Sequence, residues 1–167
     1  EVAVGCSHNK CAFCPTYRGE RFRIKSDDII FSDIAYAARN CKFQRRVFLC
    51  GGDVLILPQK RLMAILTAIR EQLPWVTRVG LYANVKSLKM KTPEELAELK
   101  AHGLGILYMG LETCDDVTLK AISKGFTSES AIEMGRKALA AGFKLSITVL
   151  LGIAGRERSE IHAKETG

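Results

Sequence analysis

Gly105-Ile106-Leu107-Tyr108-Met109-Gly110-Leu111 carries no charge and no alternation of polar with apolar residues. A strand with one face in water alternates. A near-continuous apolar run is buried on both faces, as in a parallel sheet covered by helices. Upstream, Thr92-Pro93-Glu94-Glu95 has the chemistry of a helix start: Thr at the cap, Pro at the first helical position and Glu three residues after the cap. Leu96 and Leu99 then face inward, and Gly103 can close the helix in a left-handed conformation. Earlier still, Val79–Ala83 and Arg46–Cys50 read as strands. Between them a helix from about Gln59 to Gln72 carries the stripe Leu62, Ile65, Leu66, Ile69 and Leu73. Ser26, followed by Asp27 and Asp28, opens another helix whose inner face is Ile30, Ile34, Ala37 and Cys41, which makes Cys41 a core thiol. Val2–Gly5 is a short buried strand at the start.

Downstream, helical pieces at Val117–Ser123 and Ser128–Ala141, the second capped by Thr127, lead to a fifth strand, Lys144–Leu151. A glycine-bearing turn, 152–157, precedes a last helix from Glu160 to Thr166. Strand and helix alternate five times, the pattern of right-handed β-α-β units in a parallel sheet. Periodicity alone leaves a curved barrel and an open doubly wound sheet both standing. The distinctive residues decide for the barrel, because they recur just after strand ends. Gly51-Gly52-Asp53 follows the second strand and reads as a turn with an exposed acid. Tyr82 and Asn84 lie at the third, Glu112 follows the fourth, and Gly152 to Glu157 follow the fifth. Barrel enzymes build their sites on that rim.

The first strand feeds Gly5-Cys6-Ser7-His8-Asn9-Lys10-Cys11-Ala12-Phe13-Cys14, where three thiols share one loop. Thiolates this close repel one another unless a cation is shared among them. Three is an odd number for disulfides, and the two-residue gap between Cys11 and Cys14 suits chelation. Two readings of the loop stand: an iron–sulfur cluster on the three cysteines, or a Cys3His zinc site with His8 as fourth ligand in a binding domain, with nucleic acid as a conceivable partner.

The Cys6-x4-Cys11-x2-Cys14 spacing, with Phe13 before the last cysteine and the basic run Tyr17–Arg23 after it, resembles the cluster loop of radical S-adenosylmethionine (SAM) enzymes. The spacing differs by one residue from the commoner C-x3-C-x2-C, which bears on the subfamily. The strand–helix order extends the resemblance over the whole chain, as the first five units of a partial (β/α) barrel of the radical SAM type. On this resemblance residues 1–167 are a radical SAM core domain, expected to lack a last strand–helix unit and any substrate domain. It further implies that Cys6, Cys11 and Cys14 ligate a [4Fe-4S] cluster whose fourth iron takes SAM, and that an electron donor such as flavodoxin or ferredoxin is a partner.

Gly51-Gly52-Asp53 resembles the family's GGE motif, with carbonyls for the SAM ammonium and Asp53 compensating charge or ordering the turn. Glu112 is placed to meet the ribose hydroxyls or the methionyl end, or else is simply an acid at the start of the next helix. Leu151, Gly152 and Ile153 resemble the adenine-side segment, and Phe13 can contribute from the cysteine loop. The implied reaction is reductive cleavage of SAM to a 5′-deoxyadenosyl radical that abstracts hydrogen from a substrate the sequence does not identify.

A net charge of +7 with 47% apolar residues suits a folded globule with scattered surface positives. No aromatic-rich nucleic-acid signature accompanies the charge. No apolar run approaches the roughly 18 residues of a membrane span, and no signal-like segment heads the chain, so a cytoplasmic setting is expected. Cys50 and Cys114 are expected to be packed thiols and His102 structural. His162 has no evident partner.

Overall fold

The computed structural model describes residues 1–167. Its centre is a four-stranded parallel sheet of β3 (Arg46–Leu49), β4 (Arg78–Ala83), β5 (Leu104–Glu112) and β6 (Lys144–Val149), paired in chain order. Ahead of it lie β1 (Ala3–Val4) and β2 (Arg23–Ile24), then α1 (Asp27–Asn40). The connections are α2 (Gln59–Gln72) between β3 and β4, and α3 (Val85–Met90) and α4 (Pro93–Ala101) between β4 and β5. α5 (Asp116–Ala121) and α6 (Ser128–Ala140) lead to β6, and α7 (Ser159–Thr166) follows it. Alternating β-α units on a parallel sheet form the partial (β/α) barrel of the radical SAM type.

The helix stripes drive this arrangement. Leu62, Ile65, Leu66, Ile69 and Leu73 are all buried against the sheet, each contributing ~1.5–3 kcal/mol relative to exposure. Val79, Leu81 and Ala83 of β4 and Leu107, Met109 and Leu111 of β5 meet them in one continuous core. Thr92 and Glu95 form a reciprocal capping box, as do Thr127 and Ser130. A third box, Asn84 with Ser87, starts α3, whose six residues are too few to show a stripe in the sequence.

The first strand departs from expectation. β1 pairs antiparallel with β2 and does not join the parallel ladder. It still stands beside the carboxyl end of β3: the Val2 and Ala3 N–H groups donate to the Cys50 carbonyl at 2.9 and 3.3 Å, and Gly52 N–H donates to the Gly5 carbonyl at 3.0 Å. The chain leaves the strand direction at once, through Gly5 at φ +80°, so there is no length for a regular ladder. β6 is also shorter than expected and ends at Val149, where residues 151–158 become turns.

Candidate functional site

The segment between β1 and β2 makes one excursion across the carboxyl rim of the sheet, and it is braced from within. Asn9, in a left-handed conformation at φ +43°, donates through Nδ2 to the Tyr17 and Glu20 carbonyls at 2.9 and 3.0 Å. Arg18 donates to the Ala12 carbonyl at 3.1 Å, and Cys14 N–H to the Cys11 carbonyl at 3.2 Å. Cys6, Cys11 and Cys14 all lie on this segment, half-buried and free of disulfides.

One flank rests on the turn after β3. A Cβ on Gly52 would lie 2.7 Å from both Cys6 Cβ and the Gly5 carbonyl oxygen, and 2.8 Å from the Tyr17 ring, so only glycine admits the loop this close. Gly51 adopts φ +151°, and its Cβ would meet Ala3 and Val54 at 3.0 Å. Asp53 is fully buried, which corrects the exposed acid read from the sequence. Its Oδ2 accepts from Ser7 Oγ at 2.5 Å and from Asn84 Nδ2 at 2.7 Å, and its Oδ1 has no protein partner. Burial pushes its carboxyl above the usual range, opposed by the bonds from Ser7 and Asn84. Asn84 therefore has two tasks, capping α3 and bonding Asp53 beside the cysteine that follows Gly5.

The other flank lies on the connection from β5 to α6. His8 Nε2 donates to the Ser123 carbonyl at 2.7 Å, and its ring lies where a Cβ on Gly125 would fall, 2.6 Å from Cε1. Ala12 N–H donates to the Ile122 carbonyl at 2.9 Å. Glu112 sits at the end of β5 at φ +67°, 7% exposed, and forms an ion pair with Lys124 at 2.9 Å. A Cβ on Gly110 would fall 2.6 Å from that carboxylate, so a glycine there lets the pair fold back on the strand. The Lys124 ammonium also lies over Phe13, 5.6 Å from the ring centroid, and over Phe126 at 5.8 Å. Leu150 N–H donates to the Glu112 carbonyl at 3.0 Å, which brings the turn holding Leu151, Gly152 and Ile153 to the same place.

Lys124 is the residue that sequence reasoning missed. Its only signal was its place in a polar turn after a short helix, which singles out nothing.

The donors available to a thiophilic group are the three loop thiols. Burial raises the Cys11 thiol, the Lys124 charge opposes that shift, and the neighbouring Cys6 and Cys14 raise it further. A shared cation would relieve that repulsion, and the donor set fits a group bound through thiolates. No three His, Cys, Asp or Glu side chains converge as metal ligands do. His8 is positioned by the α5–α6 connection and does not join the thiols.

The remaining expectations divide. Asp115 caps α5 and accepts two 2.7 Å bonds from Arg158, whose guanidinium holds its carboxyl well below the usual range. His162, without a partner in the sequence reading, is buried and bonded to Thr113 Oγ1 at 2.8 Å, because α7 folds back onto the turn after β5. Cys50 is exposed where a packed thiol was expected, and Cys114 is half-buried with its thiol raised by burial. His102 bonds the Glu98 carbonyl within its own helix end. No helix is long and apolar enough to cross a membrane.

A partial (β/α) barrel with its polar and thiol groups gathered on the carboxyl rim is the class of scaffold that fold and site define. Residues 1–163 match the family model described as "Radical SAM superfamily", and the chain belongs to that superfamily. Solved structures agree in fold. The cobalamin-dependent S-adenosylmethionine radical enzyme OxsB superposes with a TM-score of 0.72 at 20% identity, over 90% of this chain and 23% of that one. Methylornithine synthase (PylB) gives 0.69 at 16%, over 97% and 49%. Coproporphyrinogen III oxidase (HemN) from Escherichia coli gives 0.63 at 15%, over 88% and 37%. The chain thus spans between about a quarter and a half of the length of these proteins. No curated protein sequence matches it significantly.

Proposed function

We propose that this chain is the core of a radical SAM enzyme, with a [4Fe-4S] cluster held by Cys6, Cys11 and Cys14 and SAM bound between the two flanks of their loop. The observation that carries the reading is the loop itself, seated across the carboxyl rim between Gly52 and Gly125 with its three thiols free. Such a cluster supplies one-electron reduction, and with SAM that chemistry yields methionine and a 5′-deoxyadenosyl radical that takes hydrogen from a substrate.

The chain's own residues bind and orient. Gly51 and Gly52 keep side chains out of the approach to the loop and leave carbonyls for an ammonium donor. Asp53 acts through Ser7 and Asn84 to order the turn, and its Oδ1 is buried without a protein partner. Glu112 offers a carboxylate to a diol, and Lys124 offers a cation to a carboxylate, so the pair can exchange its internal bond for bonds to SAM. Phe13, Leu151, Gly152 and Ile153 supply the apolar and backbone surface for the adenosine end. The electron comes from outside the chain, from a low-potential donor of the flavodoxin or ferredoxin kind.

The test is anaerobic reconstitution followed by iron, sulfide and SAM analysis. About four irons per chain are expected. Replacing Cys6, Cys11 or Cys14 with Ala should abolish the brown chromophore, and Cys41→Ala should keep it. A colourless protein holding one zinc through Cys6, His8, Cys11 and Cys14 would overturn the reading.

A further inference from the structure

The face of the sheet turned away from the helices carries a row of aromatic rings. Phe48 of β3, Tyr82 of β4 and Tyr108 of β5 meet edge to face, with centroids 4.9 Å apart for Phe48–Tyr82, 5.4 Å for Phe48–Tyr108 and 6.2 Å for Tyr82–Tyr108. Gly80 is the register partner of Phe48. A Cβ there would fall 2.9 Å from Ile106 Cγ2 and 3.3 Å from Tyr108 Cε2, so glycine lets the rings close into one slab. The slab is not core: Phe48 is 36% exposed and Tyr82 48%.

Toward the amino ends of the same strands, Arg46 and Arg78 are register partners on that face, and Lys144 of β6 alternates onto it too. None of the three has an ion-pair partner. Like charges directly opposite on neighbouring strands repel, and a bound anion would relieve the cost. Two residues along a strand is about 6.6 Å, so the cations begin one ring-length from the aromatic row. An aromatic row alone would also suit a cation. The three positive charges beside it repel one.

We infer that this face binds a small molecule made of a flat ring and an oxyanion: the ring lies on Phe48, Tyr82 and Tyr108, and a carboxylate or phosphate meets the Arg46–Arg78 pair. Arginine suits either oxyanion because its planar fork makes paired hydrogen bonds. As the substrate class of the proposed enzyme, the inference rests on SAM binding at the rim.

The experiment follows the Tyr82 and Tyr108 ring signals of the 167-residue chain by NMR. Four probes are used: phenyl phosphate, phenylacetate, benzyl alcohol and inorganic phosphate. At least one of the two ring-bearing anions should bind tenfold or more tighter than both benzyl alcohol and inorganic phosphate, and the tighter of the two identifies the oxyanion. Arg46→Gln with Arg78→Gln should remove that tenfold advantage and leave benzyl alcohol unchanged. Tyr108→Leu should weaken all ring-bearing probes. If the double variant does not fold, Arg46→Gln alone, at an exposed site, should lose about fivefold.

Equal binding of inorganic and phenyl phosphate would reduce the face to a charge patch and overturn the inference, as would an arginine variant that keeps the advantage. Iron, sulfide and SAM cleavage measured on the same preparation separate the two claims. A loaded, SAM-cleaving protein that ignores ring-bearing anions sinks this inference alone. Ring-anion binding by a chain that takes no cluster sinks the enzyme reading and with it the substrate assignment.

Discussion

The two flanks of the cysteine loop are held by opposite means. At Gly52 the contact is backbone and Cβ against a glycine with no room to spare, and the polar groups behind it, Ser7, Asp53 and Asn84, are linked in a buried network. At the other flank a single backbone bond, from Ala12 N–H to the Ile122 carbonyl, is joined by ends of side chains: the His8 ring on Gly125, and the Lys124 ammonium shared among Glu112, Phe13 and Phe126. Backbone cannot move aside cheaply, whereas a ring or an ammonium can swing. The first flank therefore sets where the thiols lie, and the second is the one able to rearrange around a ligand.

The largest effect is expected from Gly52→Val. Its Cβ meets a rigid loop, and overpacking of this kind costs ~1–3 kcal/mol before any further loop displacement. Thermal stability should fall, and iron after reconstitution should drop to a minor fraction of wild type. Full iron loading in this variant would show that the Gly52 contact does not place the thiols.

Lys124→Met comes next. Iron should be retained, because no thiol depends on it for position, while calorimetry should show SAM binding weakened by about 10- to 100-fold, the scale of a lost charged hydrogen bond. Glu112→Gln combined with Lys124→Met tests the exchange directly. If the pair acts only on itself, the double variant recovers the affinity that the single one lost.

Gly125→Ala should be milder than Gly52→Val in cluster loading. Its cost is chiefly the left-handed conformation at φ +80°, ~1–2 kcal/mol, since the His8 ring can tilt away. Equal iron loss in both variants would erase the difference between the flanks.

The smallest effect is a matter of pH. Asp53 is raised by burial, so its contribution to stability is full below the unfolded carboxylate value and is lost as pH rises through the folded one. Asp53→Asn can keep the bonds from Ser7 and Asn84 on its one oxygen without carrying that charge. Relative to wild type the variant should gain stability as pH rises through that window, and the gain should level off above it. A difference that does not change with pH in urea titrations would mean that Asp53 titrates normally.

Much of the architecture is local chemistry and was legible in the sequence. The Thr92–Glu95 box, the stripe over residues 59–72 and the apolar run at 105–111 each specify an element from within a few residues, and their alternation leaves little but a parallel sheet. The rim was legible too, because strand ends in such a sheet face one way. What the sequence left open depends on contacts between distant residues. His8 meets Ser123 across 115 positions and Ser7 meets Asp53 across 46, so Asp53 looked like an exposed turn acid until the cysteine loop was laid over it.

His162 acquired a partner only when α7 folded back on Thr113, 49 positions away. Lys124 lies just 12 residues after Glu112, yet the short helix α5 stands between them and no local pattern marks their pairing. Secondary structure follows from hydrogen bonds and periodicity along the chain, so the sequence by itself determined it. Burial and charge pairing follow from which surfaces meet, and those the tertiary structure alone decided.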